Sequence, residues 1–286
     1  YSAMREQSMP NLRIRLLMEE NIGLRYRHPV RSRRITGLGL LLLTGLLSVL
    51  ALLVSSAQAQ LPDYDVLDEI LARNVRNGFI DYDGIASEPQ FGKFVEQLGT
   101  TQSDDLTSTS AKLAFYINAY NALAIQGILN GHSPSGWWGR RNFFQKQKFN
   151  VLGKMISLRT LEHEHIITLG DRRIHFALIR ASISSPRLSS QAYRPERLDK
   201  QLHDAAKQFI NDPTRNHFDT KRQTAFLSRI FKWHADGFIA AGGSLQRYLA
   251  RFADDAPTQD MLRLDKFSIR FIDYDWGLNG RYLGKD

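Results

Sequence analysis

Apolar residues recur at helical spacing through most of this chain. Val66, Leu67, Ile70, Leu71 and Val75 predict a helix over 64–76, and Phe91 to Leu98 repeats the pattern more weakly. The clearest helix is predicted over 109–129, with Leu113, Ile117, Tyr120, Ala124 and Ile128 on one stripe. Gly131 ends it, and Pro134 prevents it from resuming. Phe79 to Tyr82 reads as a short extended piece before an Asp83-Gly84 turn, and 132–147 as a loop carrying Trp137-Trp138 and Phe143-Phe144. Residues 148–157 predict a hairpin turning at Gly153, followed by a helix from Ser157 or Leu158 through Ile167. After Gly170-Asp171, the apolar run 174–180 reads as a buried strand. Helices follow over 195–210, 227–240 and 244–252, and 267–274 alternates like an edge strand. The balance is α+β: a helix-rich single domain with a small, mostly antiparallel sheet. No glycine-rich phosphate loop and no regular strand–helix alternation occurs, which excludes a doubly wound nucleotide-binding fold.

The first 59 residues have a different character. Arg25, Arg27, Arg31, Arg33 and Arg34 precede an apolar run from Ile35 to Val54, which leads to a small-residue site at Ala57-Gln-Ala59. These are the parts of a secretory signal, so 1–59 reads as upstream sequence and signal peptide, and 60–286 as one globular domain. The run is also long enough to serve as an uncleaved signal anchor. Either way the domain is expected outside the cytoplasm, periplasmic or secreted when cleaved and inner-membrane anchored when not, because the arginines stay on the inner side. The membrane would be touched only through this segment. Its removal withdraws eight Lys/Arg and three Asp/Glu, so a formal charge of +9 falls to +4. The residual excess is mild and scattered, which argues against a nucleic-acid partner. The chain has no cysteine, so no disulfide framework stabilises the exported domain.

Candidate chemistry lies in three blocks. Asn118 and Asn121 share a face of the 109–129 helix, where a buried amide either fastens a neighbouring segment or lines a site. Glu162-His163-Glu164-His165 is dense in metal-ligand types, but its histidines stand at i and i+2, and alternate helical residues point apart, so no metal is assigned. His175 precedes the hydroxyl cluster Ser182, Ser184 and Ser185. A hydroxyl nucleophile needs a base and a group to orient that base, roles open to His175 or His163 and to Glu162 or Asn118, with Ser185 as nucleophile. The competing reading makes the serines ordinary turn chemistry. Trp137 and Trp138, beside Arg140, Arg141, Lys146 and Lys148, suit a ligand cleft or an anionic lipid or polysaccharide. Phe231, Trp233, Tyr248, Phe252, Tyr274 and Trp276 read as core and rim packing.

The blocks Ala114 to Leu123, Ile156 to His163 and Arg173 to Pro186 together resemble the bacterial domain-of-unknown-function 547 family, from about Tyr64 to Asn279. The resemblance implies the Glu162-His163 pair as a family feature. It also implies cysteines where this chain has Arg180 and Ser185, so Arg180 joins the binding candidates as a departure from the pattern. His163 and His175 are expected to face one cavity, with Asn118 or Asn121 on its wall. The leading expectation is a hydrolase- or acyl-transfer-like site, degenerate in this member; the alternative is a non-catalytic envelope binding module for a small molecule, peptide or envelope ligand. No cofactor is expected. A chain beginning at Gln60 is expected to melt cooperatively in chelator; loss of that transition on chelation would point to a structural metal among residues 162–165.

Overall fold

The computed structural model describes residues 61–284; residues 1–59, expected from the sequence to be upstream sequence and a signal peptide, lie outside the described residues. Its first helix, α1 (Tyr64–Asn74), is capped by the Asp63 carboxylate, which accepts from the Asp65 and Val66 amides. The chain then forms β1 (Val75–Arg76) and β2 (Phe79–Asp81). Asp83-Gly84 is part of a short helix, α2 (Tyr82–Ala86), rather than a free turn, because the Asp81 side chain caps it through the Gly84 amide. Helix α3 (Pro89–Thr100) follows, and then α4 (Thr109–Leu129), capped by Ser108.

Helix α4 is the centre of the domain. Fifteen of its 21 residues are buried, so the expected single stripe is instead apolar cover on nearly every side. A helix buried all round must be enclosed by other elements. Those elements include α1, α3, the hairpin β3 (Phe149–Val151) and β4 (Lys154–Ile156), and a helical stretch from Leu158 to Leu169. The hairpin turns through Leu152 and Gly153, both at positive φ (51° and 73°), as a two-residue primed turn demands.

A second core forms around α7 (Leu198–Ile210), the short helices α8 (Arg229–Trp233), α9 (Ala235–Gly242), α10 (Leu245–Leu249) and α11 (Ala256–Arg263), and a three-stranded sheet. In that sheet β5 (His217–Asp219) pairs antiparallel with β6 (Thr224–Leu227), and β6 pairs parallel with the edge strand β7 (Ser268–Phe271). Far along the chain, β8 (Gly280–Arg281) returns to lie parallel to β2, with Ile80 opposite Gly280. The Tyr82 hydroxyl donates to Asn279, and the Leu283 amide donates to Asp83, closing the same junction. Among the described residues no helix is long and apolar enough to cross a membrane.

Two expectations are corrected. Residues 132–147 are not a loop: helix α5 (Gly136–Arg141) runs into a π-helical turn, Asn142–Lys146. The segment 174–180 is not a strand. It is a 3-10 turn (Arg172–Phe176) followed by irregular chain, all of it buried. A wholly buried apolar run carries no period, so sequence alone could not separate the two. The segment lies between the cores: Ile174, Leu178 and Ile179 belong to the first, and Phe176 stacks on Phe209 and Phe238 in the second.

No sheet neighbour satisfies the peptide groups of this segment, and side chains of α4 do so instead. The Asn121 amide donates to the Ala177 carbonyl and accepts from the Ile179 N–H, both at 2.9 Å. Asn118 embraces Tyr193 in the same way, at 2.7 and 2.8 Å. Both asparagines are therefore fasteners. Asn121→Ala would leave two buried backbone groups unpaired and should destabilise the fold by about 2–5 kcal/mol. A urea midpoint falling by that equivalent, with faster exchange of the Ile179 amide, is the expected result.

Candidate functional site

An open cleft of about 460 Å³ lies where α5, the two π-helical turns and the α8–α9 junction meet. Helix α5 contributes Trp137, Arg140 and Arg141; the first π-turn, Phe144 and Gln145. Ser157 caps the helix α6 (Leu158–Thr160), which carries Arg159 and widens at once into the second π-turn (Leu161–Ile166), presenting Glu162 and His163. A π-turn adds a residue to the helical circuit and re-aims the side chains on it, which is why such turns gather at functional sites. Trp233, His234 and Trp276 form the far wall, and Arg180 reaches the floor.

The floor holds a buried ion pair. Arg180 Nη2 donates to Glu162 Oε1 at 2.7 Å, and both side chains are less than one-tenth exposed. The same nitrogen lies 3.3 Å from His234 Nε2. A guanidinium can only donate, so His234 Nε2 is the acceptor and its proton sits on Nδ1. Behind it the His175 ring stacks on His234 with centroids 3.7 Å apart, and its Nδ1 is buried without a hydrogen-bond partner.

Burial and the charge on Arg180 keep both rings neutral. Burial, then Arg180, lowers the His234 pKa to about 3. Burial, then His234 and Arg180, pushes that of His175 lower still. Burial opposes the charge on Arg180 itself, but the Glu162 carboxylate more than offsets this and holds its pKa above the usual arginine value. Tyr120, fully buried, is held well above the usual tyrosine value, first by burial and next by Glu162.

The structure separates the other candidates. His163 lines the cleft and is exposed, whereas His175 lies behind His234, so the two do not share a cavity wall with Asn118 or Asn121. Glu164 is exposed and His165 packs on Tyr116 at 5.2 Å, so the 162–165 block does not converge. Trp137 lines the cleft and meets Trp138 edge-on at 4.5 Å; Trp138 is not a lining residue.

All three candidate serine hydroxyls hold the turn together. Ser185 Oγ accepts from the Arg180 amide at 2.6 Å, Ser184 Oγ accepts from the Asp275 amide, and Ser182 Oγ meets Tyr274 Oη at 3.0 Å. The Arg215 guanidinium, paired with Asp212, also donates to the Ile183 and Ser185 carbonyls. Ala181, buried at φ 47°, makes the bend that brings Ser185 back to Arg180.

His234 went unnoticed because 227–240 reads as one helix. The break between α8 and α9 falls on it, and Asp236-Gly237, an acidic first turn and a mid-helix glycine, was the available signal. Trp233 and Trp276, which the sequence assigns to core and rim packing, both line the cleft.

Fold and site together define a helix-rich α+β domain with a cationic, aromatic cleft over a buried ion pair. Over residues 104–210 the chain matches the model of the family described as protein of unknown function, DUF547. That stretch holds α4, both π-turns, His175, Arg180 and the serine turn, while Trp233, His234 and Trp276 lie beyond it. No curated protein and no solved structure matches the chain.

The neutral histidines set a pH dependence. Below about 6.5 the unfolded chain takes up protons at 175 and 234 that the folded chain refuses, so stability falls as pH drops from about 6.5 towards 3. The slope should reach about 1.4 kcal/mol per pH unit for each histidine. Urea midpoints at pH 7 and pH 5 measure it, and His234→Gln should flatten the curve by half.

Proposed function

We propose that the protein is an exported, non-catalytic binding module whose cleft takes an acidic saccharide of the cell envelope. One observation carries the reading. Arg140, Arg141 and Arg159 surround the cleft, and none pairs with a carboxylate among the described residues. The single carboxylate among the lining residues, Glu162, is neutralised by Arg180. Planar guanidinium groups with free donors favour carboxylate and phosphate oxygens.

The aromatic wall supports a sugar rather than a compact anion. Trp233 and Trp276 lie near parallel, 6.0 Å apart at 28°, with Tyr274 against both. Such surfaces take the apolar face of a pyranose ring while leaving its hydroxyls in water. Arg140 lies over the Trp276 ring at 4.9 Å, which holds its head group at the cleft mouth. Export is supported by the basic, apolar and small-residue order of residues 25–59.

Catalysis has less support. Ser185 Oγ accepts from the Arg180 amide, and among the described residues no serine hydroxyl bonds to His175 or His163. One observation favours the hydrolase- or acyl-transfer-like reading: Glu162 Oε1 lies 3.9 Å from His234 Nε2 on the cleft floor.

Tryptophan fluorescence titrated with an oligogalacturonate and with a neutral oligosaccharide tests the proposal. The acidic oligomer should bind more tightly and lose affinity in high salt. Arg141→Ala with Arg159→Ala should weaken it by about 10–100-fold, the equivalent of one or two charge-assisted hydrogen bonds. Equal binding of the neutral sugar, or binding only to anionic lipid vesicles, would reject the reading. Turnover of the acidic oligomer would favour the enzyme.

A further inference from the structure

Beneath the cleft, three side chains from separate elements converge. Glu162 comes from the second π-turn, His175 from the 3-10 turn and His234 from the α8–α9 junction. Each offers one donor atom, and the three atoms lie within 4.8 Å of one another. One carboxylate and two imidazoles make a donor set that zinc and neighbouring divalent transition metals take, with a further position left open. That position would face the cleft, because Glu162 and His234 both line it.

What stands among these donors is Arg180. Its Nη2 engages the Glu162 oxygen and the His234 Nε2 lone pair, the two electron pairs a metal would need. The third donor residue, His175, is 1% exposed and keeps a buried ring nitrogen with no partner. A buried imidazole nitrogen left unsatisfied is costly unless something else uses it. The resident cation therefore serves two of the three donor residues and leaves the third unserved.

We propose that Glu162, His175 and His234 form a divalent-metal site that the Arg180 guanidinium keeps closed by occupying it. This goes beyond the binding-module reading and does not depend on it. Charge balance supports a metal in place of the guanidinium. Removing Arg180 leaves the Glu162 carboxylate buried without a counter-charge, which a divalent ion restores. The geometry asks for a modest contraction: tetrahedral bonds of about 2.0–2.1 Å place donors about 3.4 Å apart, so the set must draw in and the stacked rings must open from 20°.

The test uses the full chain, zinc chloride as probe, and the variants Arg180→Met and Arg180→Ala. Bound zinc is measured after gel filtration, and Tm is followed against zinc concentration. The wild type should retain no zinc and show no Tm shift. Each Arg180 variant should retain close to one zinc per chain, with a Tm that rises with zinc concentration. Adding Glu162→Gln or His234→Ala to Arg180→Met should abolish both effects.

A folded Arg180→Met chain that retains no zinc would overturn the proposal. So would equal zinc retention by the wild type, or retention that survives Glu162→Gln, which would place the ion on exposed histidines such as His163. If loss of the arginine prevents folding in metal-free buffer, refolding with zinc decides: recovery of a cooperative melt supports the site, and failure of both variants with zinc overturns it.

Discussion

The structure around the cleft depends on one constraint: a chain segment buried outside helix and sheet must still have its peptide groups paired. Residues 177–182 pass between two hydrophobic cores with no strand beside them. Asn121 acts as the missing strand, offering one donor and one acceptor at the spacing a ladder would provide. Asn118, one turn away on the same helix, treats Tyr193 alike. With the segment fixed to α4, the left-handed bend at Ala181 and the serine turn follow, and Arg180 is delivered to the cleft floor.

The charges then settle around that delivery. A buried guanidinium is tolerable only beside a buried carboxylate, and Glu162 is supplied by a π-turn whose extra residue swings it inward. The pair is neutral as a unit, so the floor adds little net field. The field of the cleft comes from Arg140, Arg141 and Arg159 at its rim. Cationic rim, neutral floor and aromatic wall separate the tasks of attraction, support and contact. Arg180 and Ser185 are in direct contact, backbone amide to hydroxyl, so loss of the Ser185 hydroxyl would leave the buried Arg180 amide without this acceptor.

Much of the local architecture was legible. Helix α4 was legible because Gly131 and Pro134 close a long apolar pattern, and the β3–β4 hairpin because Gly153 marks its turn. What was not legible depended on partners distant in sequence. The 174–180 run looked like a strand, since complete burial hides periodicity, and only the position of Asn121 explains the shape it takes. Glu162, His163, Trp137 and Arg180 do meet at one cleft; blocks rich in functional residue types suggest the first three, and the family resemblance suggests Arg180. Ser185, Asn118 and Asn121 have the same chemistry as site residues but spend it on backbone groups, a distinction that exists only in three dimensions. His234 escaped because a helix break is a matter of one residue.

The pairing of β2 with β8 has a consequence for how the chain reaches this state. Ile80 and Gly280 are neighbours in a sheet although nearly the whole domain lies between them, and the Tyr82–Asn279 hydrogen bond spans 197 positions. Closing so long a loop costs entropy before it returns any contact energy, and such pairings slow folding. During synthesis on the ribosome, β2 would wait with one edge unpaired until the final strand arrived. An unpaired edge is a template for other chains. Its two flanking strands are only two residues long, which keeps that interval of exposure from becoming a route to aggregation.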